Sequence, residues 1–208
     1  MPESLHTRRL ALAACTLVAL AGCQSRPYAD LPSTPTDTNK QITQASAIVR
    51  EAQRYELAGN DTEAIAKYRE AINTYTELPV AWNNLGRLLM KRSENLGAAD
   101  AFKTASELSP TDPRPLYNLG ALWEGLGYLE DAQRWYNQAL NRDHDYLPAL
   151  RRYIIIEEIF LNPDPTTFER VQTALLIEKD PWWIDRFKRA RQRFTEAERE
   201  RRADGPAQ

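Results

Sequence analysis

The sequence predicts an all-α fold: an α-solenoid of antiparallel helix pairs closed by a C-terminal capping helix. Three observations carry that expectation. The tripeptide Asn-Leu-Gly occurs at Asn84-Leu85-Gly86 and again at Asn118-Leu119-Gly120, 34 residues apart. The same step joins large apolar residues at Ile48, Trp82, Leu116 and Leu150, and joins Ala52 to Gly86, Gly120 and Ile154. Each period holds two stretches of helical periodicity in which small and bulky residues alternate, the pattern of helix pairs that must stack on their neighbours to bury a core.

A chain of 208 residues suits one domain or one repeat array. Its charged fraction of 27% and apolar fraction of 42% are those of an ordinary water-soluble domain. The formal net charge of −2 argues against a general nucleic-acid binder, which carries a basic balance.

Taken in order, the N-terminus reads as a processing signal. Arg8 and Arg9 precede an apolar run from Leu10 to Ala21. As a helix that run spans roughly 18 Å against a hydrocarbon core of about 30 Å, so it reads as the h-region of a signal peptide over residues 1–22. It ends in Leu20-Ala21-Gly22-Cys23, which resembles the bacterial lipobox. That resemblance implies a diacylglyceryl group on Cys23 and cleavage before it, and two or three acyl chains would anchor the protein stably. Cys15 leaves with the signal and lipid blocks Cys23, so no thiol remains for disulfide, metal or nucleophile. Gln24 stands where Gram-negative lipoproteins kept in the inner membrane commonly carry aspartate, so the resemblance favours the outer membrane, facing the periplasm. Residues 23–40 are expected to be the lipidated cysteine and a flexible linker rich in Pro, Thr, Ser and Asp.

The array is expected over 41–181, in units 45–78, 79–112, 113–146 and a diverged 147–180. Second helices begin near Ala64, Ala98 and Ala132, each followed four residues on by Tyr68, Phe102 and Tyr136, then by Ala71, Ala105 and Ala139. Glycine inside a helix costs about 1 kcal/mol relative to alanine, so Gly86 and Gly120 must mark close helix approach. Gly59-Asn60-Asp61-Thr62 and Gly127 supply turns and caps. These residues resemble the tetratricopeptide repeat (TPR), whose pattern is a bulky residue, Leu-Gly, an aromatic, alanine, a second aromatic and a proline such as Pro110.

In the fourth unit, Leu147 to Leu161 carries Tyr153-Ile154-Ile155-Ile156 and predicts a deeply buried helix. The Asn162-Pro163-Asp164-Pro165 turn leads to a helix over about 166–179 that fits the repeat only with a shift of about one residue. Asp180-Pro181 opens a last helix, with Trp183, Phe187, Ala190 and Phe194 on one stripe and a frayed tail from about Arg202. Residues 182–208 are thus the expected cap and tail.

No enzyme is legible. His144, within Asp143-His144-Asp145, has no second histidine or thiol with which to hold a metal and falls in a turn. No phosphate loop or nucleophile elbow is present, and the adjacent Glu157 and Glu158 point to different sides of a helix. The sequence therefore suggests no cofactor, no metal, no small-molecule substrate and no nucleic acid. The run Arg186–Arg193 is basic but followed by Glu196, Glu198 and Glu200; it reads as a solvated cap face, with contact to lipid or a polyanion as the alternative.

The TPR resemblance implies that the first helix of each unit lines a concave groove that takes a peptide segment or a partner helix. It places Asn84 and Asn118 at the groove asparagine, with Arg50 and Arg152 in its place in the outer units. Asn83, Arg87, Lys91, Arg114, Tyr117 and Arg151 fall on or near the same side, and their arginines suggest a ligand bearing carboxylates. The function this implies is a lipid-anchored periplasmic scaffold or adaptor for an envelope protein. The alternatives are a pilotin-like assembly factor for a pilus or secretion system, and polyanion or lipid-surface binding through the basic last helix.

Overall fold

The computed structural model describes residues 35–203, and among them the chain forms nine helices and no strand. They follow as α1 (Pro35–Leu57), α2 (Asp61–Thr74), α3 (Pro79–Lys91), α4 (Asn95–Leu108), α5 (Arg114–Gly125), α6 (Leu129–Arg142), α7 (Leu147–Phe160), α8 (Pro165–Ile177) and α9 (Pro181–Ala203). The expected signal peptide, Cys23 and residues 24–34 lie outside the described residues. So do residues 204–208.

Local chemistry sets the helix boundaries. Prolines occupy the first turns of α3, α5, α7 and α8, where a missing N–H costs nothing. The pairs close through turns whose left-handed residue recurs every 34 residues: Gly59 (φ 77°), Ser93 (φ 61°), Gly127 (φ 85°) and Leu161 (φ 48°). In the first three turns the following amide reaches back to the last helical turn, from Asn60 to Tyr55, Glu94 to Leu89 and Tyr128 to Trp123 at 2.9, 2.9 and 3.0 Å. That bond satisfies a carbonyl the helix end would leave orphaned. The fourth turn keeps the position but closes with a shorter bond, Leu161 N–H to the Glu157 carbonyl at 2.8 Å.

Each helix packs on the next, and α3 also touches α5. The glycines do what their spacing implies. A Cβ on Gly86 would stand 2.7 Å from two carbons of the Phe102 ring, and one on Gly120 would stand 2.6 Å from two carbons of the Tyr136 ring. The aromatic of the second helix thus lies flat against the backbone of the first, and both rings are fully buried. The core runs continuously from Ile48 to Phe194 through alternating alanines and large side chains.

The two ends depart from the repeat. Helix α1 starts at Pro35, so residues 35–40, expected as linker, are its first turns, and the helix begins ten residues before the expected first unit. In α8 the buried set is Thr167, Arg170, Val171 and Ala174. Thr167, Val171 and Ala174 follow Ala132, Tyr136 and Ala139 by 35 residues, confirming the one-residue shift. Pro163 sits in the α7–α8 turn, which is longer than the other turns within pairs, and Asp164 starts α8 with a capping box to Thr167. Helix α9 packs on both α7 and α8 and buries Phe187, Ala190 and Phe194 completely. With α9 covering it, α7 buries Tyr153, Ile154 and Ile156, while Ile155 is half-buried. The helix continues through Arg202 to Ala203, past the expected fraying point.

Candidate functional site

The first helices of the pairs, α1, α3, α5 and α7, carry the polar positions singled out by the sequence. Asn118 Nδ2 donates to Asn83 Oδ1 at 2.8 Å, tying α5 to α3. Asn84 behaves differently. It is only 9% exposed, in the core edge rather than on an open face, and it contacts the Tyr68 hydroxyl. The two motif asparagines are therefore not equivalent, and part of the conserved-looking Asn-Leu-Gly spacing at 84 is packing.

The cations of the same set are engaged within the chain. Arg87 Nη2 meets Glu56 Oε1 at 2.9 Å, and Lys91 Nζ meets Asp61 Oδ2 at 2.5 Å. Arg114 forks onto Asp112, at 2.9 Å from Nε to Oδ1 and 2.7 Å from Nη2 to Oδ2. Burial works to raise the Asp112 carboxyl, but Arg114 outweighs it and holds the carboxyl below its ordinary value. Arg151 forks onto Glu178 with two 2.8 Å bonds and lies 4.8 Å from the Trp183 ring centroid. Arg152 forks onto Glu124, with Nε to Oε2 at 2.9 Å. The arginines that suggested a carboxylate-bearing ligand are thus mostly paired within the chain, while Arg50 on α1 stays exposed and makes no ion pair among the described residues.

Two carboxylates that organise this face escaped the sequence reading. Glu56 accepts from the Tyr68 hydroxyl at 3.0 Å as well as from Arg87. Glu124 accepts from the Tyr136 hydroxyl at 2.7 Å as well as from Arg152. Burial pushes both tyrosine hydroxyls well above their ordinary pKa, so they remain donors. The signal was present in the repeat: Glu56 and Glu124 stand two periods apart, as do Tyr68 and Tyr136, while the middle unit has Met90 and Phe102. Where the ring lacks a hydroxyl, the acid is absent too.

Between α5, α6 and α7 these groups wall a depression of about 410 Å³ lined by Tyr117, Ala121, Glu124, Tyr136 and Arg152. Tyr117 is half-buried and its ring lies 5.6 Å from Tyr136 and 5.7 Å from Tyr146, the latter edge-on. The site offers a rigid aromatic wall, a carboxylate–guanidinium pair and, along α3 and α5, amide groups able to pair with a peptide backbone.

His144 sits exposed in the turn between α6 and α7. Among the described residues no group of three or more His, Cys, Asp or Glu side chains could hold a metal ion. No helix among them is long and apolar enough to cross a membrane. On α9, Arg186 and Arg193 both pair with Glu158, Arg189 with Asp185 and Arg202 with Glu198. The basic run is thus largely spent in holding α9 to α7 and in pairs along its own helix.

The fold and this face define a class, the α-solenoid of helix-pair repeats. No family model matches the chain. Human superkiller complex protein 3 is 28% identical to it over 105 residues, which is 50% of this chain and 7% of that protein. The first TPR of Spaghetti (RPAP3), solved bound to the HSP90 peptide SRMEEVD, superposes with a TM-score of 0.54 at 19% identity, over 57% of this chain and 94% of that one. MamA does so with a TM-score of 0.53 at 15% identity, over 80% of this chain and 87% of that one. The chain spans a small fraction of the curated relative, and at these identities the solved neighbours speak to fold alone. More particularly, then, this is a TPR-like helical repeat protein.

Proposed function

We propose that the chain is a non-enzymatic scaffold that holds an extended segment or helix of a protein partner along the face formed by α3, α5 and α7, and that Cys23 tethers it by lipid to a bacterial envelope. The observation that carries the binding reading is the depression beside Tyr117, walled by the Glu124–Arg152 pair, with the Asn83–Asn118 bond on the same row of first helices. A partner's backbone would exchange with those amides, and one of its side chains would enter beside Tyr117. A likeness in fold to a TPR solved with a bound peptide supports the choice of ligand class. Because the basic groups already have partners, recognition rests on amide pairing and aromatic contact more than on unpaired charge.

Photoreactive residues at Asn83, Tyr117 and Asn118 test this in the native host. The expected result is capture of one and the same protein from all three sites and none from Lys103 on the opposite helix row. Capture from Lys103 alone would sink the reading. The tether is tested separately: Cys23→Ser is expected to move the protein from the membrane to the soluble fraction, and unchanged membrane association would refute it.

A further inference from the structure

Away from that face, a smaller cavity of about 180 Å³ lies between the end of α6 and the first turns of α8. Its polar lining is Asn141, His144, Thr166, Glu169, Arg170 and Thr173. Arg170 is the anomaly. It is only 9% exposed, its guanidinium carbon stands 4.1 Å from the Tyr153 ring centroid, and Nη2 donates to Asn137 Oδ1.

No ion pair reaches it. In the first unit the corresponding residue, allowing for the one-residue shift, is Lys67, which is more exposed and meets both Glu51 and Glu70 at 3.2 and 3.0 Å. Arg170 is more buried and makes no salt bridge among the described residues, although Glu169 lines the same cavity and Glu157 interacts with it at longer range. Glu157 is taken by Gln133 and Thr167, whose donors hold its two oxygens. A guanidinium is always protonated, and burying it beside one neutral acceptor costs free energy that a counter-ion would recover. Nε, Nη1 and the second N–H of Nη2 have no acceptor among the described residues, which leaves one Nη2-containing edge of the guanidinium for a ligand, and none of these nitrogens is sealed from solvent unpaired.

We propose that this cavity binds the anion of a small carboxylic acid, with Arg170 gripping both oxygens and Thr166 and Thr173 as neutral donors. The planar fork of a guanidinium matches a carboxylate in a bidentate pair. Arg170 attracts an anion while Glu169, exposed at the rim, opposes it, and that opposition grows with the anion's charge, which favours a monoanion over phosphate. His144 and Asn141 close the outer edge.

The test is an NMR titration of the ¹⁵N-labelled full chain with sodium acetate, replacing sodium chloride at fixed ionic strength. Saturable shifts are expected at His144, Thr173 and the Arg170 Nε–H, with inorganic phosphate binding several-fold more weakly. Arg170→Gln is expected to weaken acetate at least tenfold, Thr173→Val several-fold, and Glu169→Gln to bring phosphate close to acetate. Should Arg170→Gln fail to fold, Thr173→Val and His144→Ala decide. Shifts that do not saturate, that chloride reproduces, or that survive Arg170→Gln and Thr173→Val overturn the site. Phosphate binding more tightly than acetate overturns the ligand class. The partner-binding face is lined by other residues, so its test is unaffected by either result.

Discussion

The contact between Gly120 and Tyr136 yields the sharpest test of the packing, because Gly125 in the same helix provides its own control. Gly120→Ala gains about 1 kcal/mol of helix propensity. Against that, the new methyl would lie 2.6 Å from Cδ1 and Cε1 of Tyr136 and 3.0 Å from Cζ. Ordinary contact begins near 3.4 Å, so the ring or α5 must give way by nearly an ångström, and overpacking of this kind costs about 1–3 kcal/mol. The ring cannot swing aside cheaply: it is fully buried, and its hydroxyl is held 2.7 Å from Glu124, a bond worth a further ~1 kcal/mol. The net expectation is a loss of about 1–3 kcal/mol. A Cβ on Gly125 meets nothing within 4 Å, so Gly125→Ala should gain about 0.5 kcal/mol. Ala52, fully buried at the equivalent place of the first unit, shows that a pair spaced for a methyl can hold one, so Gly120→Ala should weaken the fold without abolishing it. Urea unfolding followed by circular dichroism, with unchanged m-values, reads the difference. If Gly120→Ala proves as stable as Gly125→Ala, the ring is not seated on the backbone and the account of the motif is wrong.

Other consequences follow from single sites. Leu161→Gly and Ser93→Gly relieve left-handed strain at positions where the repeat otherwise uses glycine, and each should gain about 1 kcal/mol in thermal or urea unfolding; a loss at both would refute the turn reading. Glu157 is 5% exposed and burial raises its pKa, so its folded form holds the proton more tightly than the unfolded one. Its contribution is therefore full below the ordinary carboxylate range and is lost as pH rises through the raised value; Glu157→Gln should flatten stability against pH above about 4.5 and gain about 1 kcal/mol at pH 7. Glu178 runs the other way: burial works to raise its pKa, but the Asp180 and Lys179 amides and Arg151 outweigh it and hold it low. Its contribution is present above the ordinary range and lost as pH falls through the lowered value, so Glu178→Gln should cost about 2 kcal/mol at pH 7 and little in acid. Tyr136→Phe should cost about 1 kcal/mol by unfolding titration, since the middle unit already packs Phe102 in that place.

The repeat made the fold legible because its packing constraints fall at fixed intervals. A glycine under a ring, an alanine against a helix and a turn residue at positive φ can each be checked against a partner 34 residues away. Even the one-residue shift of α8 was visible in the spacing of Val171 from Tyr136. The helical start of α1 was hidden because Pro35, Thr36 and Asp37 are as typical of a helix's first turn as of a linker. The site was less legible, for a different reason. A residue's position on a helix face can be read from sequence, but whether its charge is unspent depends on neighbours in other units. Arg151 meets its acid 27 residues on and Arg152 meets Glu124 28 residues back, neither a multiple of the repeat. No periodic pattern could have paired them.

That same pairing decides what kind of surface the first helices present. Tyr68, Glu56 and Arg87 form one polar triad, and Tyr136, Glu124 and Arg152 form another two units along. Met90 and Phe102 put an apolar interval between them. Each carboxylate is fixed by a hydroxyl donor below and a cation above, so neither can turn to meet a ligand without leaving a buried tyrosine unsatisfied. A partner must therefore dock on the triads as they stand. What it meets is a stiff, locally neutral surface with an aromatic notch at Tyr117, on which shape and amide geometry govern fit. Long-range charge then has little net field to act on, and added salt should change binding to this face only weakly.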